Sequence, residues 1–142
     1  MTPLPTNQMM NIAYSSSNEY SWLMGISIFS LLANNPDEKI HFYILSNGIS
    51  SKNRTTITKM IGSFGQSVDF LAPEKTPFEE LLLSKDRWGL ACLQKIRLQT
   101  NPLPNLDRIL YLDSDTIVRG PIRDFYDSDL HDNPFAKSQS GP

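Results

Sequence analysis

Leu106-Asp107-Arg108-Ile109-Leu110-Tyr111-Leu112-Asp113-Ser114-Asp115-Thr116-Ile117-Val118 is the stretch on which the reading of this chain turns. Its apolar centre predicts a buried strand over 108–112, the strongest strand signal in the sequence. Two carboxylates follow at once. In open α/β sheets, ligands bind outside the carboxyl ends of the strands. Residues i and i+2 of an extended chain point to one side, so Asp113 and Asp115 are expected to converge on a single divalent cation. Hard oxygen donors of this kind suit magnesium or manganese. Such a cation would bridge the oxygens of a diphosphate and stabilise it as a leaving group. An isolated Asp-x-Asp more often caps a turn. Here the apolar strand before it and Thr116-Ile117-Val118 after it favour the metal reading.

Working outward, strands and helices alternate. A strand is expected over 10–14, ended by Ser15-Ser16-Ser17-Asn18, whose side chains favour turns and helix caps. A helix over 19–33 follows, with Trp22, Ile26, Phe29 and Ala33 as its inward stripe, widened by Leu23 and Leu32. Asn34-Asn35-Pro36 stops it. The apolar run over 40–45 suits a strand covered on both faces, and Asn47-Gly48 is a turn. Ser50 or Ser51 can cap a helix to about residue 61, with Ile57, Met60 and Ile61 inward. Ser67–Leu71 reads as a strand. Pro73 and Pro77 mark a loop, and helices are expected over 78–83 and 90–99. Gly120-Pro121 makes a turn before a helical turn over 122–126.

This alternation indicates an α/β fold, a mostly parallel sheet flanked by helices. The chain divides into an extended tail (1–9), one domain (10–135) and a polar tail (136–142) that ends without terminating structure, as an incomplete domain would. The length of 142 residues suits one domain, which can bury about 70% of its unfolded surface. A net charge of -2 argues against a nucleic-acid binder. The lone cysteine, Cys92, is read as a packed residue and fits a reducing compartment such as the cytoplasm. No apolar run approaches the roughly 18 residues of a membrane span. A peripheral membrane association of the full-length protein, including one through a segment outside this sequence, is compatible with this reading.

The stretch 106–118 closely resembles the signature of glycosyltransferase family 8, whose members are retaining enzymes of the GT-A (nucleotide-diphospho-sugar transferase) fold. The likeness continues in Pro121-Ile122-Arg123-Asp124-Phe125-Tyr126-Asp127-Ser128-Asp129-Leu130. It also takes in Asn11-Ile12-Ala13-Tyr14-Ser15-Ser16-Ser17-Asn18-Glu19-Tyr20 and the Ile40-His41-Phe42-Tyr43-Ile44-Leu45 strand with Asn47-Gly48-Ile49-Ser50. The resemblance implies a UDP-sugar donor, a hexose moved to a glycan or lipid-linked saccharide acceptor, and manganese or magnesium held by Asp113 and Asp115. It implies donor contacts from Ser15, Ser16, Ser17, Glu19, Asp113, Ser114 and Arg97, the last through a guanidinium suited to phosphate. The chain departs from the family at two of these positions. Ser17 stands where an aspartate usually binds the uracil imide, and Glu19 where asparagine is frequent. Family members are also longer, and their C-terminal half supplies a further metal-binding histidine and the acceptor pocket. No catalytic nucleophile can be named here.

Two other readings compete. The aspartate pair partly imitates the motif of haloacid-dehalogenase phosphatases, in which Asp113 would be the nucleophile and Asp115 the general acid. That motif opens its domain, however, and too little chain follows Asp115 for the strands it requires. Alternatively, the chain is an inactive nucleotide-binding module. His41, within an apolar strand, reads as structural, and His131 as a loop residue. The acidic run Asp124, Asp127, Asp129 and Asp132 reads as a solvated face.

Overall fold

The computed structural model describes residues 8–71 and 108–128. Four parallel strands form one sheet: β1 (Met10–Ser17), β2 (Ile40–Asn47), β3 (Ser67–Leu71) and β4 (Leu110–Tyr111), in the order β3-β2-β1-β4. Helix α1 (Ser21–Asn34) connects β1 to β2, and α2 (Ser51–Ser63) connects β2 to β3. A short α3 (Arg123–Tyr126) closes the described part. The two crossovers step the same way along the sheet, so their right-handedness puts α1 and α2 on one face, side by side.

The register explains the core. Met10 pairs with Ile40, Ile12 with Phe42 and Tyr14 with Ile44, while Phe42 and Ile44 pair with Val68 and Phe70. Alternate residues of a strand share a face, so these side chains form one apolar layer. Met24, Ile28, Leu31 and Leu32 of α1 and Ile57 and Ile61 of α2 pack against it. Each such burial is worth about 1.5–3 kcal/mol. The other face is more polar. There His41 of β2 is bonded to Ser67 and, at 2.9 Å, to Asp69 of β3. The run over 40–45 is therefore fully covered on one face and only half-buried at His41 and Tyr43 on the other.

Three sequence expectations change. The buried face of α1 is Ser21, Met24, Ser27, Ile28, Leu31 and Leu32, whereas Trp22, Ile26 and Phe29 point outward. Of the inward stripe of the sequence reading, Leu32 is buried and Leu23 half-buried, while Trp22, Ile26, Phe29 and Ala33 form the outer face. Apolar residues ring this helix, and periodicity alone fits either side. Secondly, the strand expected to end before Ser15 runs on through Ser17, because Ser15, Ser16 and Ser17 pair with Leu45, Ser46 and Asn47 of β2. Pairing outweighs the turn preference of serine. Thirdly, the strand expected over 108–112 narrows to two residues, with half-buried side chains rather than buried ones. Its partner β1 continues towards its own carboxyl end while the chain after Leu112 turns away.

Other expectations match. Ser50 caps α2, its hydroxyl accepting from the Asn53 N–H at 3.2 Å. Gly48, after β2, takes a left-handed φ of 80° that glycine adopts readily. The expected helices over 78–83 and 90–99, the prolines 73 and 77, and Cys92, Arg97 and His131 lie outside the described residues.

Candidate functional site

The site is built where β4 leaves the sheet. The Leu112 N–H donates to the Ala13 carbonyl at 2.9 Å, one residue beyond the strand proper. The chain then folds back on itself. The Asp113 carbonyl accepts from the Thr116 N–H at 3.1 Å and from the Thr116 hydroxyl at 2.7 Å. Asp113 to Thr116 is thus a four-residue turn, and it is the turn, not an extended chain, that presents the two carboxylates. Asp113 and Asp115 are both exposed at the carboxyl edge of the sheet.

Between them, Ser114 points inward. Its hydroxyl donates to the Ser15 carbonyl of β1 at 2.8 Å. This bond ties the carboxylate turn to the carboxyl end of the neighbouring strand, beside the serines expected to meet the donor. Ser16 is buried and its hydroxyl donates to the Ser17 carbonyl at 2.8 Å. Ser17 is half-buried at the end of β1, and Glu19 is exposed in the turn that follows. The structure therefore brings Ser15 and Ser114 into contact and sets Ser16, Ser17 and Glu19 in succession along the same strand end.

Several residues that hold this site escape a reading by motif. Ser27 of α1 is fully buried, 2.8 Å from the Tyr14 hydroxyl and 3.0 Å from that of Thr116. Each hydroxyl has one hydrogen to give. Thr116 gives its own to the Asp113 carbonyl, so Ser27 donates to Thr116 and Tyr14 donates to Ser27. Burial raises the pKa of the Tyr14 phenol, and its bond with Ser27 offsets this only partly. The phenol stays protonated and the order of donors holds.

Further along α1, the Ser30 hydroxyl accepts from the Val118 N–H at 2.9 Å, and the Asn34 amide donates to the Val118 carbonyl at 2.9 Å. Asn35 accepts from the Ile122 N–H at 2.9 Å. Side chains of α1 and of its C-cap Asn35 thus bind the backbone of 118–122 much as an adjacent strand would. The legible signal was the polar series Ser27, Ser30, Asn34 at helical spacing inside an apolar helix.

The turn between β1 and α1 is bracketed separately. The Asn18 side-chain carbonyl accepts from the Ser50 N–H and from the Asn53 amide, both at 2.9 Å. Its backbone carbonyl takes the Ser21 hydroxyl at 2.8 Å. Ser15 to Asn18 therefore give α1 no side-chain cap. Nearby, Arg54 of α2 donates to the Ser46 hydroxyl at 3.2 Å and lies over the Phe70 ring.

The donor chemistry fits a hard divalent cation. Magnesium is commonly held by one or two carboxylates, with substrate phosphates and water completing its shell. Among the described residues no group of three or more His, Cys, Asp and Glu side chains could hold a metal. They offer the two turn carboxylates and leave the other positions to phosphate, water or further parts of the protein.

The profile of glycosyl transferase family 8 matches residues 11–140. A putative glycosyltransferase of Haemophilus influenzae is 31% identical over 124 residues, 87% of this chain and 37% of that protein. The lipopolysaccharide 1,3-galactosyltransferase of Salmonella typhimurium is 23% identical over 126 residues, 89% of this chain and 37% of that protein. Among solved structures, an active-site mutant of LgtC superposes with a TM-score of 0.74 at 26% identity, covering 87% of this chain and 44% of that one. The chain thus spans well under half the length of the relatives it matches. Its parallel sheet and flanking helices are those of the GT-A glycosyltransferases, and with a family profile matching nearly its whole length, the chain belongs to glycosyltransferase family 8.

Proposed function

We propose that this chain forms the donor-binding part of a metal-assisted hexosyltransferase, which moves a hexose from a UDP-sugar to an acceptor hydroxyl with retention of anomeric configuration. The observation that carries the reading is the Ser114 hydroxyl on the Ser15 carbonyl. It sets the carboxylate turn against the strand end that leads into Ser16, Ser17 and Glu19. Asp113 and Asp115 would hold manganese or magnesium, which when bound supplies charge to neutralise the departing diphosphate. Ser15, Ser16, Ser17 and Glu19 would line the nucleotide side, with Ser114 fixing the turn between them. Arg97 would pair with the diphosphate. Without the charged carboxylate usual at the Ser17 position, contact with the uracil edge would rest on neutral hydrogen bonds. A glycan or lipid-linked saccharide acceptor accords with the lipopolysaccharide named for one relative. We assign the chain to the cytoplasm.

The phosphatase reading is disfavoured by topology: β4 follows three strands of the same sheet and lies beside β1, whereas the phosphatase motif opens its domain. Calorimetry with UDP, with and without manganese, tests the donor site. Manganese-dependent binding that disappears in Asp115→Ala is the expected result. Equal affinity with and without the cation would remove the metal role. UDP binding by a protein that turns over no UDP-glucose or UDP-galactose would leave a binding module.

A further inference from the structure

The outer face of α1 has an unusual composition for a solvent-facing helix. Trp22, Ile26 and Phe29 are 65%, 46% and 52% exposed, and exposed Ala33 continues the series at helical spacing. The stripe lies opposite the buried residues Met24, Ile28 and Leu31. It is widened by Phe64, which is 37% exposed and meets the Phe29 ring edge-on at 5.7 Å. A shallow groove between α1 and α2 adjoins it, lined by Trp22, Gly25, Ile26, Phe29, Thr56 and Met60. Contiguous exposed apolar surface of this kind marks an interaction site.

Charge identifies the partner. Helix α1 has no charged residue, and α2 has Lys52, Arg54 and Lys59 with no acidic one. Arg54 turns inward to Ser46 and Phe70. Lys52, Thr56, Lys59 and Ser63 are exposed and share the helical ridge bordering the groove. This face is therefore apolar and basic on a chain whose net charge is -2. Anionic bilayers attract such a combination. Aromatic side chains settle at the headgroup level, an apolar helix face enters the acyl boundary, and neighbouring lysines are drawn to anionic headgroups. A second copy fits less well. Two such faces meeting would bring lysines together, with no acidic residue on either helix to offset them.

We propose that the outer face of α1, flanked by Lys52 and Lys59, docks this protein on an anionic lipid bilayer. The helix would lie in the plane of the interface with Trp22 and Phe29 inserted. This surface is independent of the donor-site reading, in which Trp22, Phe29, Lys52 and Lys59 have no part; Asn18 of the β1–α1 turn and Ser21 at the start of α1 line one end of its groove.

Flotation of the full chain with phosphatidylcholine vesicles, with and without phosphatidylglycerol, tests it. Binding is expected only to the anionic vesicles, and it should weaken as salt rises. Each of Lys52→Gln and Lys59→Gln should lower the partition coefficient about fivefold. Trp22→Ser with Phe29→Ser should abolish partition while the thermal midpoint holds. Absence of flotation with anionic vesicles overturns the proposal, as does equal flotation with neutral ones. So does a dimer in sedimentation that the Trp22→Ser, Phe29→Ser variant disperses, which would assign the face to a second copy. The lysine variants lie on an exposed ridge and keep the test informative if the aromatic pair misfolds.

Discussion

The hydroxyl of Ser27 lies 3.0 Å from that of Thr116, although the two residues belong to a helix and a turn at opposite ends of the chain. Through Thr116 the contact reaches the Asp113 carbonyl, and through Tyr14 it reaches the apolar layer of the sheet. The conformation of the carboxylate turn is therefore set from inside the core.

Ser27→Ala removes the centre of that series. The fully buried Tyr14 phenol loses its acceptor, which costs about 1–3 kcal/mol. Thr116 keeps its bond to Asp113 but loses the donor that orients it. The expected outcome is a lower thermal midpoint together with weaker manganese binding, read by the paramagnetic signal of the free ion. Tyr14→Phe should restore part of the stability in the Ser27→Ala background, because it deletes the stranded hydroxyl. An additive double mutant would show that the two hydroxyls are not coupled.

Ser114→Ala tests the link between β1 and the turn. The serine is half-buried, so the stability loss should be small, about 0.5–1.5 kcal/mol. The effect on ligand binding should be larger in proportion, since the bond to Ser15 is what holds the two halves of the site together. Manganese-dependent affinity for UDP should fall, while Ser114→Thr, which keeps the hydroxyl, should recover most of it. Equal affinities in the alanine and threonine variants would mean the turn needs no such anchor.

The two faces of α1 separate what the sequence shows from what it hides. Ile28 is fully buried and Phe29, its neighbour, is largely exposed. Ile28→Ala should cost about 2–5 kcal/mol by leaving a cavity, whereas Phe29→Ala should cost under about 1 kcal/mol, as surface changes usually do. Chemical denaturation of both variants checks the assignment. The order of strands and helices was legible because apolar runs and turn residues alternate cleanly from Met10 to Leu71. The face of α1 was not legible, because Met24, Ile28 and Leu31 make one helical stripe and Trp22, Ile26 and Phe29 make another. Only the sheet decides between them. The carboxylate pair was legible as a pair, but its geometry was not. Strand pairing ends at Leu112, and the backbone turn that follows depends on Thr116 meeting a helix far away in sequence. Asn18, too, drew attention only as a turn residue, since its partners Ser50 and Asn53 lie beyond a whole helix and strand.

Asn18 also allows a charge to be used as a probe. Its side-chain carbonyl sits at the amino-terminal end of α2 and accepts two hydrogen bonds there. Asn18→Ala should cost about 0.5–2 kcal/mol, the usual loss on removing a group that satisfies a helix terminus. Asn18→Asp should behave differently. A carboxylate keeps both acceptor contacts, and the helix dipole favours negative charge at this end. Its folded-state pKa should then fall below the unfolded value of about 4. A lowered pKa means the added stability is present above the unfolded value and is lost as pH falls through the folded one. Thermal midpoints measured from neutral to acid pH should therefore show Asn18→Asp at or above the parent protein near neutrality, losing that advantage in acid. An Asn18→Asp variant that tracks Asn18→Ala at every pH would show that the Asn18 oxygen does not hold the start of α2.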